Sequence, residues 1–96
     1  MAASPLSSTE IDSRLRSLSG WELDKGEITR TFTFPNFIGS LAFVNRVGEV
    51  AEAAGHHPDI DIRYNKVKLT LVTHDAGGLT AKDFDVAEKI NGLHQA

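Results

Sequence analysis

Four histidines are the only side chains in this 96-residue chain whose unperturbed titration lies near neutral pH. His56 and His57 are adjacent and precede Pro58, and His74 follows one hairpin later. His94 lies in the tail of the last expected helix and is set aside as solvent-exposed. Two carboxylates have spacings that bring them to the same corner. Glu52 comes four residues before His56, and Asp83 follows the loop that leaves His74. An imidazole can act as acid or base without a large shift in pKa, and a neighbouring carboxylate can fix its tautomer. A positioned group of this kind contributes typically ~10²–10⁴-fold to a rate. Taken singly, these residues have plainer readings: a polar loop before a proline, a histidine at a strand end, solvated helix carboxylates. Their convergence is what suggests general acid–base chemistry.

Other chemistries fit less well. Three histidines can bind zinc, but neither His-x-x-x-His nor a Glu-x-x-His pair on a helix is present, so no metal site is expected. The chain has no cysteine, which excludes disulfides, thiolate metal sites and cysteine nucleophiles. No Gly-x-Ser-x-Gly elbow occurs, and Gly77-Gly78 lacks the residues of a phosphate loop. Trp21, the one tryptophan, reads either as a core residue at a strand start or as the aromatic wall of a pocket.

The elements that must position these residues follow from periodicity. Residues 1–8 read as a loose tail, with a single domain over 9–96. Ser7 and Glu10 have capping-box spacing, Thr9 is a second candidate cap, and a helix is expected over 9–18, ended by Ser19-Gly20. Trp21 to Leu23 and Ile28 to Phe34 form a hairpin about Lys25-Gly26. Asn36 caps a long helix from Phe37 to about residue 54, closed by Gly55 and blocked by Pro58. Its expected apolar stripe is Phe37, Leu41, Val44, Val47 and Ala51, widened by Ile38, Ala42 and Ala54, with Phe43 and Val50 off it. A second hairpin over residues 60–72 turns at Asn65-Lys66, which places residue 74 near residue 57. Thr80 caps a last helix with Phe84, Val86, Ala87 and Ile90 on its apolar side. The expected fold is therefore α+β, in the order α-β-β-α-β-β-α. It is a two-layer sandwich with a four-stranded antiparallel sheet of two hairpins and three helices packed on one face.

Charge narrows the partners. Ten basic residues against thirteen acidic ones give a net charge of −3, and the basic residues are scattered, so no direct nucleic-acid binding is expected. No apolar run approaches the ~18 residues of a membrane span. Without a recognisable leader, a cytoplasmic location is expected.

The spaced set Glu52, His56-His57-Pro58, Tyr64, His74 and Asp83 resembles the signature of the pterin-4a-carbinolamine (4a-hydroxytetrahydrobiopterin) dehydratases. The likeness extends to Gly20-Trp21, Tyr64-Asn65-Lys66-Val67, Thr73-His74 and Gly78-Leu79, and covers roughly residues 9–94. It implies a four-stranded sheet with helices on one face. It also implies dehydration of a 4a-hydroxytetrahydropterin to a quinonoid dihydropterin, in recycling the pterin of aromatic amino acid hydroxylases, without metal or organic cofactor. By resemblance the catalytic residues are His56, His57 and His74. His56 and His74 would share the acid–base roles, which can exchange between the two C4a stereoisomers, and His57 would orient the pterin. Glu52 would hold His56 and Asp83 would support His74. Trp21, Pro58, Thr73, Asp75 and Ala76 would contact substrate. Relatives form dimers or tetramers, and some act as dimerisation cofactors of a transcription factor. That gives a homo-oligomer as the expected partner and a protein-binding or non-catalytic pterin-binding role as the alternative. Phe43 and Val50 are candidates for the interaction surface, and a nuclear location would accompany a transcription-factor partner.

Overall fold

The computed structural model describes residues 4–94. The first three residues of the expected tail and the last two of the chain lie outside them. The capping box forms as expected. The Ser7 backbone N–H donates to the Glu10 carboxylate at 2.9 Å, and Glu10 N–H donates to the Ser7 hydroxyl. It starts α1 (Ser8–Arg16). The helix stops earlier than expected, because Ser17 and Leu18 donate three residues back, to the carbonyls of Arg14 and Leu15. That tightened turn swings Leu18 into the core. Ahead of the helix, Leu6 donates to the Leu79 carbonyl and packs on the core.

The first hairpin joins β1 (Glu22–Asp24) to β2 (Glu27–Thr33). Lys25 and Gly26 both have positive φ, the requirement of a two-residue turn that follows the strand twist. The second joins β3 (Asp59–Arg63) to β4 (Lys66–Leu71). Its turn is Tyr64-Asn65, one residue earlier than expected, since Asn65 is tied to β2. The Asn65 side-chain amide donates to the Phe34 carbonyl, and the Asn65 carbonyl accepts from Phe34 N–H. Lys66 is thereby free to pair with Arg63 and Thr33. The strands form one antiparallel sheet in the order β1-β2-β4-β3. Its helix-facing side carries Ile28, Phe32, Val67, Leu69 and Leu71, all fully buried or nearly so. The opposite side carries threonines, lysines and acids, as alternation requires. The pairing of Asp59 with Thr70 brings residue 57 level with residue 72, two residues short of the expected 74.

Helix α2 (Phe37–Ala54) has the expected ends: Asn36 accepts from Gly39 N–H, and Gly55 closes the helix in the left-handed region at φ +64°. Its buried face is the expected one only in the second half, where Val47 and Ala51 lie in the core and Val44 packs against it. Phe43 is 1% exposed and lies in the core with Ser40, Val47 and Ala51, whereas Ile38 is 72% exposed and Phe37 and Leu41 are also exposed. Phe43 packs between Phe32 and Phe34, with ring centroids 4.7 and 4.9 Å away, so neither it nor the half-buried Val50 offers an outward surface. Two helical stripes compete in this segment. Over the first half of the helix a count of apolar residues favours the wrong one, because the correct one contains Ser40. That hydroxyl is satisfied internally by donating to the Tyr64 carbonyl.

Helix α3 (Ala81–His94) packs against α2 and buries Phe84, Val86, Ala87 and Ile90 as expected, together with Asp83 and Asn91. His94 stands at its end, exposed but edge-on to Phe32 at 5.0 Å. These features make the chain an α+β two-layer sandwich with the expected order of elements.

Candidate active site

Gly55 delivers the two histidines. As α2 closes, His56 N–H donates back to the Ala51 carbonyl at 3.2 Å, which turns the chain away from the helix axis. The imidazole of His56 is 13% exposed, and its Nε2 lies 2.6 Å from Asp83 Oδ1. Asp83 is fully buried on the first turn of α3. Its second oxygen, Oδ2, accepts from the Thr73 hydroxyl at 2.8 Å and from Thr80 N–H at 2.9 Å. Thr80 in turn caps α3 by accepting from Lys82 N–H, and its hydroxyl lies 2.8 Å from that of Thr73. A buried carboxylate with three donors is fully partnered.

His57 points outward, and its Nε2 meets Glu52 Oε1 at 2.5 Å. Both side chains are largely exposed, so this pair adds little to stability. Both carboxylate partners thus differ from expectation: Asp83 holds His56 rather than His74, and Glu52 holds His57 rather than His56. Along an ideal helix Glu52 would face the residue four positions on, but the left-handed Gly55 breaks that geometry and the next residue comes round instead. His74 lies on a short 3-10 turn (His74–Ala76) beyond β4, closed by Gly77 at φ +77°. It is exposed, and among the described residues its ring has no hydrogen-bond partner.

The three imidazoles meet in one recess of about 260 Å³, lined by Gly55, His56, His57, Val72, Thr73, His74, Asp75 and Lys82. Lys82 is a lining residue that sequence reasoning missed. Its signal was its place in the first turn of α3, next to Asp83 and two residues after the cap. Pro58 and Ala76 sit beside the recess in sequence but are not among the residues lining it. Trp21 is elsewhere. It is buried, its indole N–H donates to Asn91 Oδ1 at 2.8 Å, and its ring stands edge-on to Phe32. Asn91 is eight residues beyond Asp83, or about 12 Å along the helix. Arg30 completes this second network by donating to Asn91 Oδ1 and the Ser19 carbonyl, and Asn91 also donates to Ser19. Burial lowers the pKa of Arg30 from its ordinary value. Trp21 is therefore part of a clasp between the segment after α1, β2 and the far end of α3. No cluster of three or more histidine, cysteine or acidic side chains is placed to hold a metal ion among the described residues. No helix there is long and apolar enough to cross a membrane.

Fold and recess together define a small α+β domain with three histidines at one recess, two of them backed by carboxylates. The family described as pterin 4 alpha carbinolamine dehydratase matches residues 4–93, and the chain belongs to that family. A protein from Acidobacterium capsulatum, provisionally named pterin-4-alpha-carbinolamine dehydratase, is 60% identical over 86% of this chain and 90% of its own length. One from a Nostoc species with the same provisional name is 57% identical over 93% and 96%. The crystal structure of a transcriptional coactivator/pterin dehydratase from Brucella melitensis superposes with a TM-score of 0.91 at 34% identity, covering 95% of this chain and 99% of that one. A pterin dehydratase-like protein identified as a RuBisCO assembly factor in the alpha-carboxysome shares the fold, with a TM-score of 0.64 at 19% identity over 79% and 88%.

Proposed function

We propose that this protein is a dehydratase of 4a-hydroxytetrahydropterins and that His56, His57 and His74 carry the reaction. The observation that supports this most is the gathering of three imidazoles in one recess, two of them held by carboxylates. The substrate must lose hydroxide from C4a and a proton from N5. One imidazole protonates the departing oxygen while another takes the N5 proton, and the nitrogen pair closes the C4a=N5 bond. His56 and His74 are the acid–base pair in this reading, and His57 orients the ring. Asp83 and Glu52 accept from Nε2 of His56 and His57, which leaves Nδ1 of each for substrate. Asp75 and Lys82 supply an acceptor and a donor at the same recess.

The test is the dehydration of 4a-carbinolamine generated by a phenylalanine hydroxylase, followed by ultraviolet absorbance. The expected result is acceleration that His56→Ala and His74→Ala each remove. A folded wild-type protein that leaves the spontaneous rate unchanged would refute the reading. A link to an aromatic amino acid hydroxylase and a cytoplasmic location go with it.

Self-association is the second part of the proposal. Phe37, Ile38, Leu41, Ile60 and Tyr64 are large apolar residues left exposed around the start of α2 and the edge strand β3. They are the surface on which a dimer or tetramer would close, in place of Phe43 and Val50. A molar mass by light scattering decides this, and a monomer at micromolar concentration would exclude it. The Brucella protein's description as a transcriptional coactivator motivates a parallel test for a protein partner at the same surface.

A further inference from the structure

Thr73 lines the recess, yet its hydroxyl points down into the protein. It donates to Asp83 Oδ2 at 2.8 Å and lies 2.8 Å from the Thr80 hydroxyl, and both threonines and Asp83 are buried. The proton directions in this cluster follow from the chemistry of its members. A carboxylate offers acceptors only, so the single hydroxyl proton of Thr73 is committed to Asp83. The Thr80 hydroxyl must then donate to Thr73 Oγ1, while its own oxygen accepts from Lys82 N–H. At the other end, Asp83 Oδ1 accepts from His56 Nε2. The result is a chain of hydrogen bonds that converges on Asp83, with Lys82 N–H, Thr80 and Thr73 donating toward it from the first turn of α3 and His56 donating to it from the recess.

We propose that Thr73 is a positioning residue that acts through Asp83. Its donation to Oδ2 holds the carboxylate turned so that Oδ1 meets His56, which keeps His56 in the tautomer with hydrogen on Nε2 and a lone pair on Nδ1. This rests on the reading of the recess as a pterin dehydratase site. It makes neutral His56 the acceptor of the N5 proton. The N5–H bond breaks and Nδ1–H forms, while the freed pair closes C4a=N5. The C4a–O bond breaks as the second imidazole protonates the oxygen, and water leaves. Thr73 therefore differs from a substrate contact, which would act on binding.

The test joins kinetics to nitrogen-15 NMR of labelled histidine. In the wild type, His56 should show a protonated Nε2 and a bare Nδ1. Thr73→Val should mix the tautomers and lower kcat roughly tenfold to a hundredfold, the size found when an outer-shell partner that orients a metal-bound histidine is removed. KM should hold, and Thr73→Ser should restore both signals. Thr80→Val, which leaves the Asp83 contacts in place, should give a smaller effect in the same direction. If wild-type His56 carries its proton on Nδ1, the proposal is overturned without any variant. It is also overturned if Thr73→Val raises KM with the tautomer unchanged. A wild-type protein with no dehydratase rate would sink the functional reading alone, because the tautomer measurement still decides the chain. A Thr73→Val protein that does not fold leaves Thr80→Val and the wild-type spectrum to decide it.

Discussion

Replacing Asn91 with leucine separates the two polar networks on α3. Asn91 accepts from Trp21 Nε1 and Arg30 Nη1 and donates to the Ser19 carbonyl. Leucine keeps most of the volume and removes all three bonds. The buried indole N–H is left without a partner, which costs about 1–3 kcal/mol. Losing the charged bond from Arg30 adds to this, but Arg30 is only partly buried and keeps the Ser19 carbonyl. A total near 3 kcal/mol is a large share of the roughly 5–15 kcal/mol that holds a small domain together. For a chain of this length it corresponds to a drop in Tm of about 12–24 °C. Thermal unfolding by circular dichroism measures it, with urea denaturation as a second readout. Because the clasp lies about 12 Å along α3 from Asp83, KM and kcat at low temperature should match the wild type. A Tm within about 4 °C of wild type would refute the assignment of the clasp as a main stabilising network. A raised KM at unchanged Tm would instead place Trp21 and its partners at the substrate.

Four further variants test the site, the surface, the core and the first helix. Asp83→Asn should cost at least ~100-fold in kcat, close to the effect of His56→Ala, because an amide nitrogen facing His56 Nε2 demands the wrong tautomer; dehydration rates of the two variants side by side check this. Ile38→Ser should change stability by no more than about 0.5 kcal/mol while lowering the mass seen by light scattering, whereas Phe43→Ala should cost about 3–5 kcal/mol in urea denaturation. Glu10 supplies a pH dependence. The Ser7 backbone N–H, then the Ser7 side chain, hold its carboxyl below the ordinary carboxylate range. A lowered folded-state value means the stabilisation is present above the ordinary value and is lost as pH falls through the lowered one. The stability difference between wild type and Glu10→Ala should therefore shrink in acid, as thermal unfolding across a pH series would reveal.

What could be read from the sequence divides along physical lines. Local signals were legible: the Ser7 box, the Asn36 and Thr80 caps, Gly55, and the alternation that separates the faces of the sheet. Each depends on a few neighbouring residues. The convergence of His56, His57 and His74 was legible too, since a hairpin fixes which ends meet even when its register is two residues out. Tertiary choices were not. The buried face of α2 depended on whether Ser40 could find a partner, and that partner, the Tyr64 carbonyl, lies in another element. The shift of Glu52 from His56 to His57 depended on one left-handed residue, and Asp83 meets His56 rather than His74 across separate elements. Trp21 was drawn to the pocket by its aromatic type and by the family resemblance, and only the position of Asn91 shows why it is buried elsewhere.

Asp83 serves two masters. The oxygen that takes Thr80 N–H fixes the start of α3, and its twin holds His56. Selection for a folded α3 would therefore retain this carboxylate even in a relative that had abandoned the chemistry. Its presence in a sequence is weak testimony to an active enzyme. His57 and His74 have no comparable structural employment: one leans on an exposed glutamate, and the other touches solvent. Nothing in the architecture would miss them. In sorting members of this family into catalysts and mere scaffolds, those two exposed imidazoles are the residues to inspect.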